Sequence, residues 1–213
     1  MRNLTMLTDL YELTMMYGYW KKGMGKNRAV FDMFYRATSE ITAYAIAAGL
    51  EQVIEYVNNL HFAEEDIAYL RSLNLFDESF LAADGGAVLE FGLRRAQGPD
   101  AGIYGARAAV IAGCQSTSNV LTGEMFGIPL GGTHAHSWVM SFPDELTAFR
   151  AYAEIFPTNC MLLVDTYDTL GSGMPNAIKV FGELRERGYE PIGIRLDSGD
   201  LAYLSRECRR MLD

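Results

Sequence analysis

Four short stretches hold most of the side chains that could do chemistry: Arg94-Arg95, Thr133-His134-Ala135-His136, Asp165-Thr166-Tyr167-Asp168, and Arg195-Leu196-Asp197-Ser198-Gly199-Asp200. Two of the chain's 3 histidines stand two residues apart in "GGTHAHSWVM", and the third, His61, lies far upstream. If Ile128 to Ala135 is a strand, alternation puts His134 and His136 on one face. Three readings compete for that pair: a metal site, a reactive imidazole, or packed and surface histidines without a role. A zinc site of this kind needs further histidines at later strand ends, and none follows His136,. Arginines at a strand end offer planar donors to phosphate or carboxylate. If Arg94 and Arg95 are both in a strand, only one of them faces a site. The "DSGD" stretch opens a helix, so Ser198, Gly199 and the backbone N–H groups around them form an anion site. Acids on either side suit Mg²⁺ or a ribose diol. Together these groups suggest a phosphorylated sugar, with a histidine at the centre.

The elements that would position these residues follow a beat. From Gly85 onward, strand-like and helix-like segments alternate. "AVLEFGLRR" reads as a strand and "GPDAGIYGARAAVIAGC" as a helix. The same alternation runs through "IPLGGTHAH" and "FPDELTAFRAYAEIFP", "CMLLVDTYD" and "MPNAIKVFGELRERG", "PIGIRLDSGD" and "DLAYLSRECRRML". That order predicts βαβ units and a parallel sheet, whose sites form at the C-terminal ends of the strands. All four polar clusters fall there. For Asp168 or Asp200 taken alone, a helix N-cap is the plainer role.

Upstream the texture differs. Thr8 to Lys22 reads as a helix capped by Thr8, with Leu10, Leu13, Tyr17 and Trp20 at helical spacing. "AVFDMFYR" alternates like a strand, an amphipathic helix begins at Leu50, and "AEEDIAYLRSL" is a short helix with acids in its first turn,. Two domains are expected: an N-terminal α+β segment over 1–81 and a parallel α/β unit over 82–213.

Composition sets outer limits. The 213 residues are 49% hydrophobic with a net charge of -9, enough for a core and without the basic face of a nucleic-acid scaffold,. Cys114, Cys160 and Cys208 lack metal-ligand spacing and read as reduced thiols of a cytoplasmic protein,. Asp9 and Glu12 interrupt the apolar N-terminus, so neither a signal peptide nor a membrane span is expected,.

The motifs "TDLYELTM", "LEFGLRRAQGPDAGIYGARAA", "GTHAHSW", "LLVDTYDT" and "GIRLDSGDLAYLS" together resemble the bacterial nicotinate phosphoribosyltransferases. The resemblance runs in order along nearly the whole chain. It implies a partial α/β barrel of the type II phosphoribosyltransferase kind over 82–213, in an enzyme that joins nicotinate to phosphoribosyl pyrophosphate for NAD salvage. It also implies ATP as co-substrate, Mg²⁺, and a homodimer without nucleic-acid or membrane partners. By motif, His136 falls on the phosphorylated histidine, with His134 supporting or incidental. Thr133 and Ser137 would contact phosphate, and Arg94 would bind the nicotinate carboxylate or a phosphate. Tyr11 would stack on the pyridine from the partner subunit. Arg195, Ser198 and Gly199 would bind substrate, while Asp165, Asp168, Asp197 and Asp200 would hold ribose hydroxyls and Mg²⁺, the metal through Asp197 and Asp200. Two departures from the family pattern stand out. Leu81 runs straight into Ala82 where relatives carry a long stretch, and the sequence ends at Asp213, before the remaining barrel strands. "RATSEITAYAIAAGL" is also less glycine-rich than the family pattern. An internally shortened chain is therefore expected, with a non-catalytic, phosphate-binding or subunit-pairing remnant as the other reading. A relative acting on quinolinate or nicotinamide and a metal hydrolase are more distant ones.

Overall fold

A computed structural model describes residues 3–30, 50–59, 61–72, 89–111 and 114–213. Helix α1 spans Leu10–Lys21. Its N-cap position belongs to Asp9 rather than to Thr8, and the reason is tertiary. The chain entering α1 pairs antiparallel with residues 118–120, through Leu10 N–H to Ser118 O (2.8 Å) and Val120 N–H to Thr8 O (3.0 Å). Asp9 is buried there and its carboxylate accepts from the Ser118 hydroxyl. Leu10 and Leu13 are buried as their spacing predicts, but Trp20 is 67% exposed. The helix turns Tyr11 and Met15 inward instead.

Helices α2 (Leu50–Asn58) and α3 (Glu64–Ser72) form where the pattern places them, with Asp66 accepting from Ala63 N–H at 2.8 Å in the first turn of α3. The expected strand at "AVFDMFYR" from Phe31 on, and the expected boundary at residues 81 and 82, lie outside the described residues.

The downstream beat is partly regular. Among the described residues strand β1 (Leu89–Glu90) ends sooner than "AVLEFGLRR" suggests, because the chain turns into a 3-10 coil at Leu93–Arg95. Helix α4 (Pro99–Ile111) crosses to β2 (Ser116–Thr117), which pairs parallel with β1. Helix α5 (Val120–Phe126) follows, capped by Asn119 on Thr122 N–H and closed by Gly127 at φ 64. The expected strand Ile128–Ala135 does not form beyond one parallel bridge, Leu130 to Thr117. Pro129 has no N–H to donate, and after Gly131 the chain leaves the ladder,. Helix α6 (His136–Met140) is a short turn, and α7 (Glu145–Ile155) starts at Asp144, whose carboxylate accepts from Thr147 N–H at 2.8 Å.

Strand β3 (Met161–Leu163) pairs parallel with β4 (Gly193–Arg195), in register Leu162 to Ile194. Between them run a wide turn at Thr169–Gly173 and helix α8 (Met174–Glu186), and after β4 comes α9 (Leu201–Leu212). The fold is thus mixed helix and sheet with parallel crossovers. Among the described residues the strands make two two-stranded sheets and no closed barrel.

Two apolar clusters fill the interior. The larger packs Trp138, Phe149, Tyr152, Leu162, Val164 and Phe181 behind β3 and β4. The smaller gathers Met6, Ile103, Val120, Leu121 and Leu130 around β1 and β2. Helix α1 is the seam, giving Leu10 and Leu13 to the smaller cluster and Tyr11 and Met15 to the larger. The three cysteines are free, as their spacing implies.

Candidate active site

The C-terminal ends of β3 and β4 converge on the loop between Thr133 and His136. β4 ends on Arg195, whose Nη1 donates to Thr133 Oγ1 at 2.7 Å. Its guanidinium is largely buried, which lowers its pKa, while the Asp197 and Asp165 carboxylates oppose that shift,. Its Nε is buried and lacks a hydrogen-bond partner. Beyond β3, one oxygen of Asp165 accepts from Asp197 N–H (2.9 Å) and from Ser198 Oγ (2.6 Å). Its other oxygen, Oδ1, is buried and unpartnered. A donor and an acceptor left unsatisfied beside each other are groups a polar ligand could meet.

His136 stands at the centre. Its Nδ1 lies 3.2 Å from Thr166 Oγ1, and its Nε2 lies 3.6 Å from Asp197 Oδ2. The imidazole side chain is 36% exposed, so a solute can reach it. His134 is its opposite. It is wholly buried and tilted against the Tyr152 ring at 4.6 Å. The predicted shared face is therefore wrong: without a strand there is no alternation, and the two rings part company where α6 begins. Burial lowers the His134 pKa to about 3, so it stays neutral and cannot pair with His136 as a charged group,. Among the described residues no His, Cys, Asp and Glu cluster could hold a metal by protein groups alone.

Helix α1 closes the site from the N-terminal side. Thr14 Oγ1 donates to Thr133 O at 2.5 Å, and the Met15 sulfur accepts from Ala135 N–H at 3.3 Å. Tyr11 is buried at the same seam, and its pKa is pushed up to about 12 by burial first and by Asp9 and Glu12 next. It is close enough to Arg195 and Arg94 for their charges to act on one another. Within this chain Tyr11 thus lies at the seam that faces Arg195. Arg94 is near enough for its charge to act on Tyr11, Glu12 and Arg195. Arg94 and Arg95 sit on a 3-10 turn rather than on opposite strand faces.

Four expected ligands also have local roles. Asp168 accepts from Gly171 N–H at 2.9 Å and caps the turn after β3, and Asp200 accepts from Tyr203 N–H at 3.0 Å and caps α9. Ser137 points its hydroxyl at the Met15 sulfur, 3.5 Å away. Gly199, at φ 81, serves the turn that brings Ser198 onto Asp165. Sequence reasoning missed Thr166, Thr14 and Met15. Thr166 was detectable as a hydroxyl one residue past Asp165 in a polar strand end. Thr14 and Met15 were not, because they reach the site across 119 and 120 residues of chain.

Comparison with known proteins shows what the chain is similar to. Residues 6–83 match the family model of the nicotinate phosphoribosyltransferase (NAPRTase) N-terminal domain. A nicotinate phosphoribosyltransferase of Bacillus subtilis is 39% identical over 274 aligned positions, covering 99% of this chain and 56% of the relative. One of Dictyostelium discoideum is 32% identical, covering 97% of this chain and 53% of the relative. The crystal structure of human nicotinic acid phosphoribosyltransferase superposes with a TM-score of 0.55 at 28% identity, over 96% of this chain and 63% of that one. The chain spans about half the length of the curated relatives it matches. With nearly all of its residues aligned to these proteins, the chain belongs to the nicotinate phosphoribosyltransferase family.

Proposed function

We propose that this chain carries a phosphoribosyl-transfer site for NAD salvage. It would join nicotinate to phosphoribosyl pyrophosphate, with His136 as the group phosphorylated by ATP. The observation that carries the proposal is the setting of His136: one nitrogen beside Thr166 Oγ1, the other facing Asp197, and the ring open to solutes. With its Nδ1–H donated to Thr166, neutral His136 presents the Nε2 lone pair. That pair attacks the γ-phosphorus, the bond from phosphorus to the bridging oxygen breaks, and ADP leaves. Nicotinate's ring nitrogen then attacks C1 of the ribose as its bond to pyrophosphate breaks, and water later cleaves the N–P bond of His136. Asp165 and Asp197 are placed to stabilise positive charge growing at C1. Arg195, with its unpartnered Nε, and Thr133 suit a substrate phosphate,. Arg94 suits the nicotinate carboxylate, and Tyr11 the wall of that pocket.

The oxygen donors of Asp165 and Asp197 fit Mg²⁺, which takes one or two carboxylates together with substrate phosphates. The buried, unpartnered Oδ1 of Asp165 is the observation that favours this pair over Asp197 and Asp200. Bound there, the ion would neutralise phosphate charge. The chain would act in the cytoplasm as a homodimer. Among the described residues no helix is long and apolar enough to cross a membrane.

A second reading, a non-catalytic chain that binds phosphate or pairs with a full-length subunit, is favoured by one observation. The alignment with the Bacillus subtilis relative runs over 274 positions, whereas this chain has 213 residues, so the relative carries internal residues that this chain lacks. Incubation with γ-labelled ATP and Mg²⁺ separates the two. Acid-labile label that is absent from His136→Ala supports the enzyme. A folded chain that takes no label supports the second reading.

A further inference from the structure

The buried His134 is linked to the β3 strand and to the residue before His136. Val164 N–H donates to Arg195 O at 3.2 Å, across the β3–β4 ladder. One residue earlier, the Leu163 N–H points to the opposite edge, because successive amides alternate sides. Among the described residues no strand pairs with that edge. His134 Nε2 accepts the Leu163 N–H at 3.3 Å, and its Nδ1 lies 3.3 Å from Ala135 O. A ring that accepts at Nε2 carries its proton on Nδ1, so Nδ1–H donates to Ala135 O. Ala135 is the N-cap residue of α6, and the same carbonyl accepts the Trp138 N–H that closes its first turn.

We propose that His134 is the positioning residue of the site: its imidazole takes up the edge of β3 that no described strand pairs with and fixes α6, and with it His136, to the strand that delivers Thr166 and Asp165. The links form a closed circuit. β3 holds His134 through Leu163, His134 holds the start of α6, α6 carries His136, and His136 returns to β3's extension through Thr166. Of the other ties on this loop, Thr14 to Thr133 O and Met15 to Ala135 N–H run to α1, and Arg195 Nη1 to Thr133 Oγ1 holds its first residue to β4; none of them reaches β3 directly or the residue before His136 from the strand side. The inference rests on the proposed phosphorylation of His136.

Two variants and two readouts test it in the full chain. His134→Phe keeps an aromatic ring of similar volume and removes both hydrogen bonds. His134→Gln restores an acceptor toward Leu163. On folded protein, His134→Phe is expected to slow labelling of His136 about 10- to 100-fold with the KM for ATP unchanged, the size usual for losing an orienting group. His134→Gln is expected to recover most of that loss. Labelling by His134→Phe at the wild-type rate, or a glutamine variant no faster than the phenylalanine one, overturns the proposal, since a ring that only packs would change the melting temperature and not the rate. Imidazole ¹⁵N shifts, tractable with 3 histidines, give the second readout. They should show His134 protonated at Nδ1 and the His136 signals displaced in His134→Phe. Unmoved His136 signals, or a proton on His134 Nε2, overturn it. If the wild-type chain takes no label, the reaction reading fails, and the nitrogen shifts still decide the role of His134.

Discussion

The two parallel strand pairs are built from the same βαβ unit and held by different forces. Behind β3 and β4 the interior is apolar: Leu162, Leu163, Val164, Phe149 and Trp138 are fully buried. Around β1 and β2 the apolar cluster is smaller, and a run of polar side chains is buried beside it. Ser116, Thr117, Ser118 and Asn119 are buried in sequence, and the side chains of the last three bond to Glu90, Asp9 and the local backbone. Packing is sensitive to volume, and buried hydrogen bonds are sensitive to the loss of a partner. The candidate site lies on the packed pair, where the strand ends are rigid enough to hold Arg195 against Thr133 and Asp165 against Asp197. The polar pair contributes Arg94 from a turn.

The same substitution in each region gives the largest expected contrast. A Cβ at Gly173 would lie 1.9 Å from the Val164 carbonyl oxygen, a backbone atom that cannot rotate away. Gly173→Ala is expected to cost about 4 kcal/mol or more in urea unfolding, beyond ordinary overpacking. A Cβ at Gly131 would meet the Ser116 hydroxyl at 2.7 Å, and that hydroxyl can turn. Gly131→Ala is expected to cost about 1 kcal/mol. Equal losses would break the distinction between the regions. The polar side is tested by removing a partner without changing volume. Thr117 Oγ1 donates to Glu90 Oε2 at 2.6 Å and accepts from Asn119 N–H at 3.0 Å. Thr117→Val leaves both unsatisfied and is expected to cost about 2 to 3 kcal/mol.

His134 is a fully buried polar side chain in the packed region, and pH reads it. Its folded pKa of about 3 lies below the ordinary 6.5. Between those values the unfolded chain takes up a proton that the folded chain refuses, so stability rises with pH through that window and levels off above about 7. From pH 7 to pH 5 the wild type is expected to lose about 2 kcal/mol from this group. The loss should be missing from His134→Phe, as measured by urea titration at each pH. A variant that shows the wild-type slope would mean that the ring is not kept neutral by burial.

What the sequence disclosed follows the same division. Helices α7 and α9 were legible because Asp144 and Asp200 are local N-caps whose bonds span three residues. The parallel order of β3 and β4 followed from the helix between them. The strand at Ile128–Ala135 was misread because apolar residues beside two glycines resemble a strand end, while Pro129 and the pull of α1 on Thr133 take the chain out of the ladder. Helix α5 was passed over although Asn119 and Gly127 mark both its ends. His136 could be singled out by motif, but its partner Thr166 and the contrast with His134 depend on burial, which short-range spacing does not encode. The roles of Thr14 and Met15 are purely tertiary.

The smallest effect bears on whether the two regions unfold together. Gly105 in α4 and Gly182 in α8 are exposed, and a Cβ on either would meet nothing within 4 Å. Glycine inside a helix costs about 0.5–1 kcal/mol relative to alanine through backbone entropy alone. Each alanine variant is therefore expected to gain about that much, independent of packing or polar bonding nearby. Helix α1 ties both clusters through Leu10, Leu13, Tyr11 and Met15, which predicts one cooperative transition. Gly105→Ala should then raise the same midpoint as Gly182→Ala, and the double variant should show the sum of the two gains. If Gly105→Ala moves only an early transition and leaves the later one in place, the polar region opens on its own. Arg94 would then belong to a part of the molecule that comes and goes independently of His136.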